Sequence, residues 1–151
     1  MKYRIVAVGK LKQGFLAAGC AHFLERLGPY AKTEVLELKE GRGSPQQVVE
    51  QEGTLLLSAA SGYLIALDER GTQRTSASWA ARTGELETRS VGQVSFLLGG
   101  ANGHGETLRG RVDELWSLSK LTLPHELARL VLLEQLYRAE TIRAGHPYHR
   151  D

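Results

Sequence analysis

The chain is poor in the residues from which disulfides and metal sites are built. Its 151 residues include one cysteine, Cys20, which excludes an internal disulfide and any site that needs several cysteines. The five histidines form no H-E-x-x-H motif and have no cysteine cluster beside them, so we predict no bound metal. A lone cysteine on an apolar helix face is typical of buried packing, and we expect a cytoplasmic protein.

Long hydrophobic runs and an excess of one charge are also missing. No apolar run approaches the roughly 20 residues that span a bilayer, and the opening MKYRIVAVGK lacks the small-residue cleavage site of a signal peptide. We therefore expect no membrane partner. The net charge of +2 permits a nucleic-acid partner without requiring one, because a solvated surface of mixed charges gives the same value.

What is present is an alternation of strand and helix patterns, repeated about five times. Apolar runs in YRIVAVG, TEVLELK, YLIALD and QVSFLLGG predict strands. The polar stretch ERGTQRTS after the third of these runs predicts a loop, and a short helix is expected around Leu108 to Glu114. A capping box that begins at Ser44 predicts the start of one helix, and the longest helix is expected from Glu126 to about Ala144. The alternation predicts an α/β fold with a mostly parallel sheet and helices on both faces. No linker or repeat divides residues 1–151, so we predict a single domain.

Three strand ends are candidates for a ligand site, since open parallel sheets bind ligands at the carboxyl ends of their strands. They are IALDERG, LLGGANGHG and LSKLTLPHE. The chain has no G-x-G-x-x-G after its first strand, no phosphate-loop motif and no G-x-S-x-G, which disfavours dinucleotide dehydrogenases, P-loop NTPases and serine hydrolases. The glycine-rich turn by itself is equally compatible with a plain tight turn.

The last six residues, HPYHRD, have an unusual composition for a chain end. Chain ends are usually frayed and polar, whereas these residues can stack, titrate and bind phosphate. Composition alone leaves a functional and a structural tail equally open. Arg138, which precedes this segment, is explained by an ordinary helical ion pair with Glu134.

The longest predicted helix has apolar residues on more than half of its circumference. A helix that covers one face of a sheet needs a narrower stripe. The surplus predicts a second partner, plausibly the same helix of another subunit across a two-fold axis. The apolar residues are Leu127, Leu130, Val131, Leu132, Leu133, Leu136 and Tyr137.

Several segments, taken in order, resemble one known family. ALDERG, FLLGGANG and WSLSKLTLPHELARLVLLEQLYRAETIRAGHPYHR are similar to the SPOUT-class methyltransferases of bacterial 23S ribosomal RNA, and the resemblance spans essentially the whole chain. The C-terminal segment is highly specific, while the glycine turn alone is not. The family commonly reads G-G-P-E-G in that turn, where this chain has Ala101 and Asn102, so no role carries over to those two side chains.

The resemblance implies a fold, a cofactor and a reaction. The family's C-terminal part is threaded into a trefoil knot, an exception to the rule against threaded connections, and its active unit is a homodimer. The implied reaction is S-adenosylmethionine-dependent methylation of N3 of a pseudouridine in 23S rRNA, on the assembled ribosome. The implied cofactor contacts are Leu67, Gly99, Gly100, Leu118, Ser119, Lys120, Leu121, Thr122 and Leu123.

The resemblance also implies catalytic groups in and near the C-terminal tail. The imide N3 must lose its proton, and His149 is the candidate base because its reference pKa of about 6.5 lies near neutrality. Tyr148 is expected to stack on the target base, and Arg150 and Arg138 to contact phosphate or the anionic ring. Whether the tail serves its own subunit or a neighbour stays open at this stage.

Two other functions fit the same sequence. One is a knotted methyltransferase that acts on tRNA or another rRNA site, and the other is a non-catalytic dimeric ribosome-associated protein. In the first half of the chain, Lys39 and Arg42 flank a glycine and are candidates to contact the ribosomal RNA backbone, although solvated surface charge is the favoured interpretation.

Overall fold

The computed structural model describes residues 1–150, in which strands and helices alternate from the first strand to the last helix. In chain order the elements are β1 (Lys2–Val8), α1 (Gly14–Leu27), β2 (Lys32–Leu38), α2 (Pro45–Ala59), β3 (Tyr63–Gln73), α3 (Ser76–Thr88), β4 (Gln93–Leu98), α4 (Glu106–Arg109), β5 (Glu114–Ser117) and α5 (His125–Arg143). None of the helices in this part of the chain is long and apolar enough to cross a membrane.

The five strands form one parallel sheet in the order β2-β1-β4-β3-β5. This confirms the predicted α/β fold with a parallel sheet. The chain leaves β4, passes through α4 and returns to pair β5 beside β3, at the far edge of the sheet. That order is consistent with the predicted C-terminal knot, and it brings the ends of β3, β4 and β5 to the same edge.

Both faces of the sheet are buried, which explains why its central strands are almost continuously apolar. In β1, Tyr3 and Ile5 belong to a large core together with residues of α1, α3 and α5. Val6 and Val8 point to the other face, into a smaller core with residues of α2 and α4. Fully burying one such side chain contributes about 1.5–3 kcal/mol, so the two cores hold the helices on both faces as predicted.

Helices α1 and α5 pack at very short distance on the larger core. A Cβ atom added at Gly19 would lie 2.9 Å from the Leu130 Cδ1 atom, so a side chain at Gly19 would push the helices apart. Cys20, on the next position of α1, is buried as expected. Glu126 in the first turn of α5 accepts hydrogen bonds from the backbone N–H groups of Lys12 and Gln13, at 2.7 and 3.1 Å. The amino ends of both helices therefore lie side by side.

Two sequence-based element predictions were wrong. The polar stretch after Asp68 was expected to be a loop, but β3 continues to Gln73 and pairs again with β5 after an irregularity between Leu67 and Thr72. Polar residues are tolerated there because this part of the strand is exposed. Helix α4 was expected farther along the chain, yet it ends at Arg109, before a glycine, and the following residues enter β5.

Candidate functional site

Three segments line a cavity of about 600 Å³, which is within the usual range for small-molecule sites. They are residues 67–69 at the irregular part of β3 and the loops that follow β4 and β5, and the first turns of α5 complete the wall. We call this the strand-end cavity. Its lining residues are Leu67, Asp68, Glu69, Leu98, Gly99, Gly100, Ala101, Asn102, Gly103, His104, Arg109, Ser117, Leu118, Ser119, Leu121, Thr122, Leu123, Pro124, His125 and Ala128.

The structure brings the expected cofactor residues together, with one exception. Lys120 is exposed and does not line the strand-end cavity. The residues that do line it, from three separate segments, are Leu67, Gly99, Gly100, Leu118, Ser119, Leu121, Thr122 and Leu123.

The glycine turn after β4 is packed too closely for side chains. A Cβ atom at Gly99 would lie 3.1 Å from the Gly103 carbonyl, and one at Gly100 would lie 3.0 Å from a carboxylate oxygen of Glu52. Gly103 adopts a φ of +72°, which favours glycine. The backbone can therefore approach a ligand closely, while Ala101 and Asn102 are exposed at the rim.

The loop after β5 is shaped by its own serines. The Ser117 hydroxyl donates to the Ser119 carbonyl at 3.0 Å, and the Leu121 backbone N–H donates to the Ser119 hydroxyl at 2.9 Å. This turn leaves the Leu121 side chain 74% exposed beside the cavity.

A charged contact that was not predicted ties the loops to each other. The Arg109 guanidinium on α4 donates to the Asp68 carboxylate at 2.9 Å and to the His104 carbonyl at 2.7 Å. Asp68 is buried and also accepts from the backbone N–H of Arg70 at 2.8 Å. The only signal in the sequence was a single acidic residue at the end of a buried strand.

His104 is a buried histidine in the wall of the strand-end cavity. Burial lowers its pKa below the ordinary value. Its Nε2 atom lies 3.2 Å from the Leu97 carbonyl oxygen, and a carbonyl only accepts, so Nε2 carries the proton. The Nδ1 atom then presents a lone pair on the side of the glycine turn. The sequence offered no signal for this residue beyond its place after the glycines.

The predicted catalytic residues of the C-terminal tail, residues 145–150, gather around the end of α5. The rings of Tyr148 and Tyr137 are 4.7 Å apart, and the Arg138 guanidinium lies 4.7 Å from the centre of the Tyr148 ring. An Arg138 N–H donates to Nδ1 of His149 at 3.1 Å. Arg138 also forms the expected ion pair with Glu134, at 2.8 Å, and this hydrogen bonding raises the pKa of Arg138. Arg150, the fourth predicted residue, is exposed.

The tail lies far from the strand-end cavity of the same chain. Ala128 is in the cavity wall, and Arg138 follows it by ten residues on α5, which places it about 15 Å farther along the helix axis at about 1.5 Å per residue. Tyr148 and His149 are held against that distant end. The residues predicted to bind cofactor and those predicted to catalyse are thus two separate clusters.

A basic loop follows β2 at the same edge of the sheet. Lys39 and Arg42 are exposed. The loop backbone is held by α2, because the Gln51 side chain accepts from the Arg42 N–H at 2.9 Å and donates to the Arg42 carbonyl at 3.0 Å. The loop therefore presents Lys39 and Arg42 on a backbone of fixed conformation.

Within residues 1–150, no group of three or more metal-ligating side chains is close enough to hold an ion.

Residues 1–149 match the model of a protein family described as "Predicted SPOUT methyltransferase". Among similar proteins are the ribosomal RNA large subunit methyltransferase H of Gloeobacter violaceus, 41% identical over 155 residues that cover 99% of each chain, and that of Bacillus anthracis, 41% identical over 160 residues that cover 99% of this chain and 100% of the relative.

Solved structures share the fold at low sequence identity. A probable methylase family protein of Haemophilus influenzae is 14% identical with a TM-score of 0.58, over 99% of this chain and 70% of that one. TrmJ of Z. mobilis is also 14% identical, with a TM-score of 0.54 over 93% and 70% of the two chains.

Proposed function

Because the chain belongs to the SPOUT methyltransferase family, we propose that it transfers a methyl group from S-adenosylmethionine to N3 of a pseudouridine in 23S rRNA, on the assembled ribosome. The enzyme is an rRNA methyltransferase, as its full-length relatives are named. The observation that carries the assignment is that three segments far apart in the sequence, each expected to contact the cofactor, meet in one cavity of suitable size.

The lining of the strand-end cavity fits the cofactor. Adenine is flat and apolar with polar edges, so leucine side chains such as Leu67 and Leu118 can enclose it while backbone groups contact its edges. The tight glycine turn supplies exposed backbone there. The cofactor supplies a methyl group on a sulfonium, which is already a good leaving group. The protein therefore has to position the acceptor nitrogen and manage its proton, and it needs no metal for this.

The tail carries the groups that such a reaction requires, but a hydrogen bond to His149 limits when this residue can act as a base. An arginine only donates, so the contact with Arg138 uses the lone pair on Nδ1 of His149. In a neutral imidazole the proton is then on Nε2. His149 acts as a base only after this hydrogen bond is released, whereas Arg138 and Arg150 can stabilise an anionic ring directly. The Tyr148 ring is packed against Tyr137 and has the guanidinium groups of Arg138 and Arg26 at 4.7 and 5.7 Å from its centre, so it stacks on the target base only after one of these arginines moves aside.

The active unit is a homodimer in which the tail of one chain completes the cavity of the other. The end of α5 that holds the tail is about 15 Å from the chain's own cavity along the helix axis. Several apolar side chains on α1, α5 and the loop after β5 are left uncovered: Leu127 and Val131 are half-buried, and Phe15 and Leu121 are 73% and 74% exposed. We infer that a second copy covers these side chains and brings its tail beside the first cavity.

Mass mapping of methylated RNA tests the proposal. Assembled ribosomes, free 23S rRNA and tRNA, all lacking the modification, are incubated separately with the protein and isotopically labelled cofactor. We expect label in one 23S rRNA fragment that contains pseudouridine, and more label from ribosomes than from free RNA. Label in tRNA or at a different rRNA site would replace the proposed substrate. Binding of cofactor without transfer to any of the three would point to the non-catalytic alternative.

A further inference from the structure

A buried carboxylate with an unpaired oxygen lies directly behind the glycine turn. Glu52, on α2, is 3% exposed. Its Oε2 atom accepts from the Gly41 backbone N–H at 3.0 Å, while Oε1 is buried and has no hydrogen-bond partner among the described residues. A buried charged oxygen without a partner is costly, so its retention calls for a compensating interaction.

The unpaired oxygen faces Gly100. The Cβ position of Gly100 is 3.0 Å from Glu52 Oε1 and 3.3 Å from a methyl group of Val8, and Gly100 itself lines the strand-end cavity. The carboxylate and the cavity are therefore separated by one segment of backbone without a side chain. Because Glu52 Oε1 is itself buried, its charge is less screened toward the cavity than a surface charge would be.

The other acids near the cavity are differently placed. Asp68 is neutralised by Arg109, whose guanidinium is 2.9 Å away, and Glu69 is exposed to solvent, where its field is screened. Glu52 is thus the buried carboxylate in this wall that no described cation pairs with.

We propose that Glu52 provides the counter-charge for a cationic ligand group in the strand-end cavity, acting through Gly100. The inference rests on the proposed function, which identifies that group as the sulfonium of S-adenosylmethionine. Glu52 does not contact the reacting atoms. It favours the charged cofactor over the demethylated product, S-adenosylhomocysteine, whose sulfur is neutral, and so promotes exchange of product for cofactor.

The test is the ratio of two affinities, measured by calorimetry on the full chain. At an effective dielectric constant of about 20, a buried charge close behind the cavity wall still acts on a ligand charge, so removing it should change the affinity for a cation by about an order of magnitude. We expect Glu52→Gln to raise the Kd for S-adenosylmethionine about tenfold and to change the Kd for S-adenosylhomocysteine less than about twofold. Equal weakening of both ligands would show that Glu52 only shapes the turn, and would overturn the proposal.

A matched control is available on the same helix. Glu50→Gln removes an exposed charge two residues away and should leave both affinities unchanged. If Glu52→Gln does not fold, the affinities of the wild-type protein provide the test. It should bind S-adenosylmethionine more tightly than S-adenosylhomocysteine, and tighter binding of S-adenosylhomocysteine would refute the counter-charge. Failure of the wild-type protein to bind either ligand would instead refute the proposed function.

Discussion

Arg109 and Asp68 form a largely buried ion pair of 2.9 Å that joins helix α4 to the irregular part of strand β3. The same guanidinium donates to the carbonyl of His104 at 2.7 Å, so one side chain links β3 to the loop after β4. Both segments line the strand-end cavity. The shape of the cavity therefore depends on a charge pair and not only on apolar packing.

Asp68→Asn tests this dependence. Removing the charge leaves the Arg109 guanidinium, largely buried, without its counter-ion, and we expect a loss of about 1–3 kcal/mol in the free energy of unfolding. The melting temperature should fall by about 5 °C in calorimetry, and the affinity for S-adenosylmethionine should fall about tenfold. Arg70→Ala is the control, because it removes a solvent-exposed pair with Glu106 that is worth little. Unchanged affinity in Asp68→Asn would contradict a role for the pair in shaping the cavity.

Buried His104 predicts a pH dependence of stability below neutrality. Its folded-state pKa lies below the unfolded value of 6.5, chiefly because of burial, so the unfolded chain binds more protons once the pH falls below about 6.5. Stability from this group is complete above pH 6.5 and declines as the pH falls from there toward the folded-state pKa. His104→Gln keeps a side-chain donor but does not titrate. Between pH 7.5 and 5.5 we expect the melting temperature of the wild type to fall by about 2–4 °C more than that of the variant.

Asn102→Gln, an exposed position in the same loop that does not titrate, provides the comparison and should follow the wild-type pH dependence. An identical slope in His104→Gln and the wild type would show that His104 does not contribute.

Mixed dimers test whether the tail acts on the neighbouring cavity. One chain carries Tyr148→Ala, His149→Ala and Arg150→Ala, and its partner carries Thr122→Arg, an exposed lining position where a long cation should block cofactor binding. Each homodimer should be inactive. A heterodimer purified with two different tags should have about half of the wild-type rate per dimer, because one pocket and one tail remain matched across the interface. A heterodimer without activity would place each tail on its own cavity.

The basic loop predicts salt-dependent binding to ribosomal RNA. Lys39 and Arg42 are exposed on a loop that α2 holds in place. Each RNA phosphate that loses its protein cation should reduce the slope of log K against log salt concentration by about one. Arg42→Ala should weaken ribosome binding severalfold at low salt and flatten the plot of log K against log salt. Arg89→Ala, exposed at the end of α3, should leave both unchanged. The same salt slope for Arg42→Ala and the wild type would show that Arg42 is only a solvated surface charge.

Local sequence patterns were sufficient to predict most of the helices and strands. The Ser44–Gln47 capping box starts α2 as predicted, and the ion pair of Glu134 with Arg138 is in place. These features depend on neighbours within one helical turn. The extension of β3 was missed because its residues are polar, and it is held by pairing with β5, far away in sequence. A Cβ atom at Gly71 would lie 2.5 Å from the backbone of Leu115, a requirement that no local pattern reveals.

The sequence by itself determined the parallel α/β fold, the three segments that line the cavity and the family, because hydrophobic period, glycine placement and a long specific C-terminal segment can all be read from the linear sequence. Only the tertiary structure decided that Arg109 joins Asp68 to the His104 loop, that Glu52 lies behind Gly100, and that the tail lies at the far end of α5 from its own cavity. Those relationships join residues dozens of positions apart, and their distances are set by how the helices pack on the sheet.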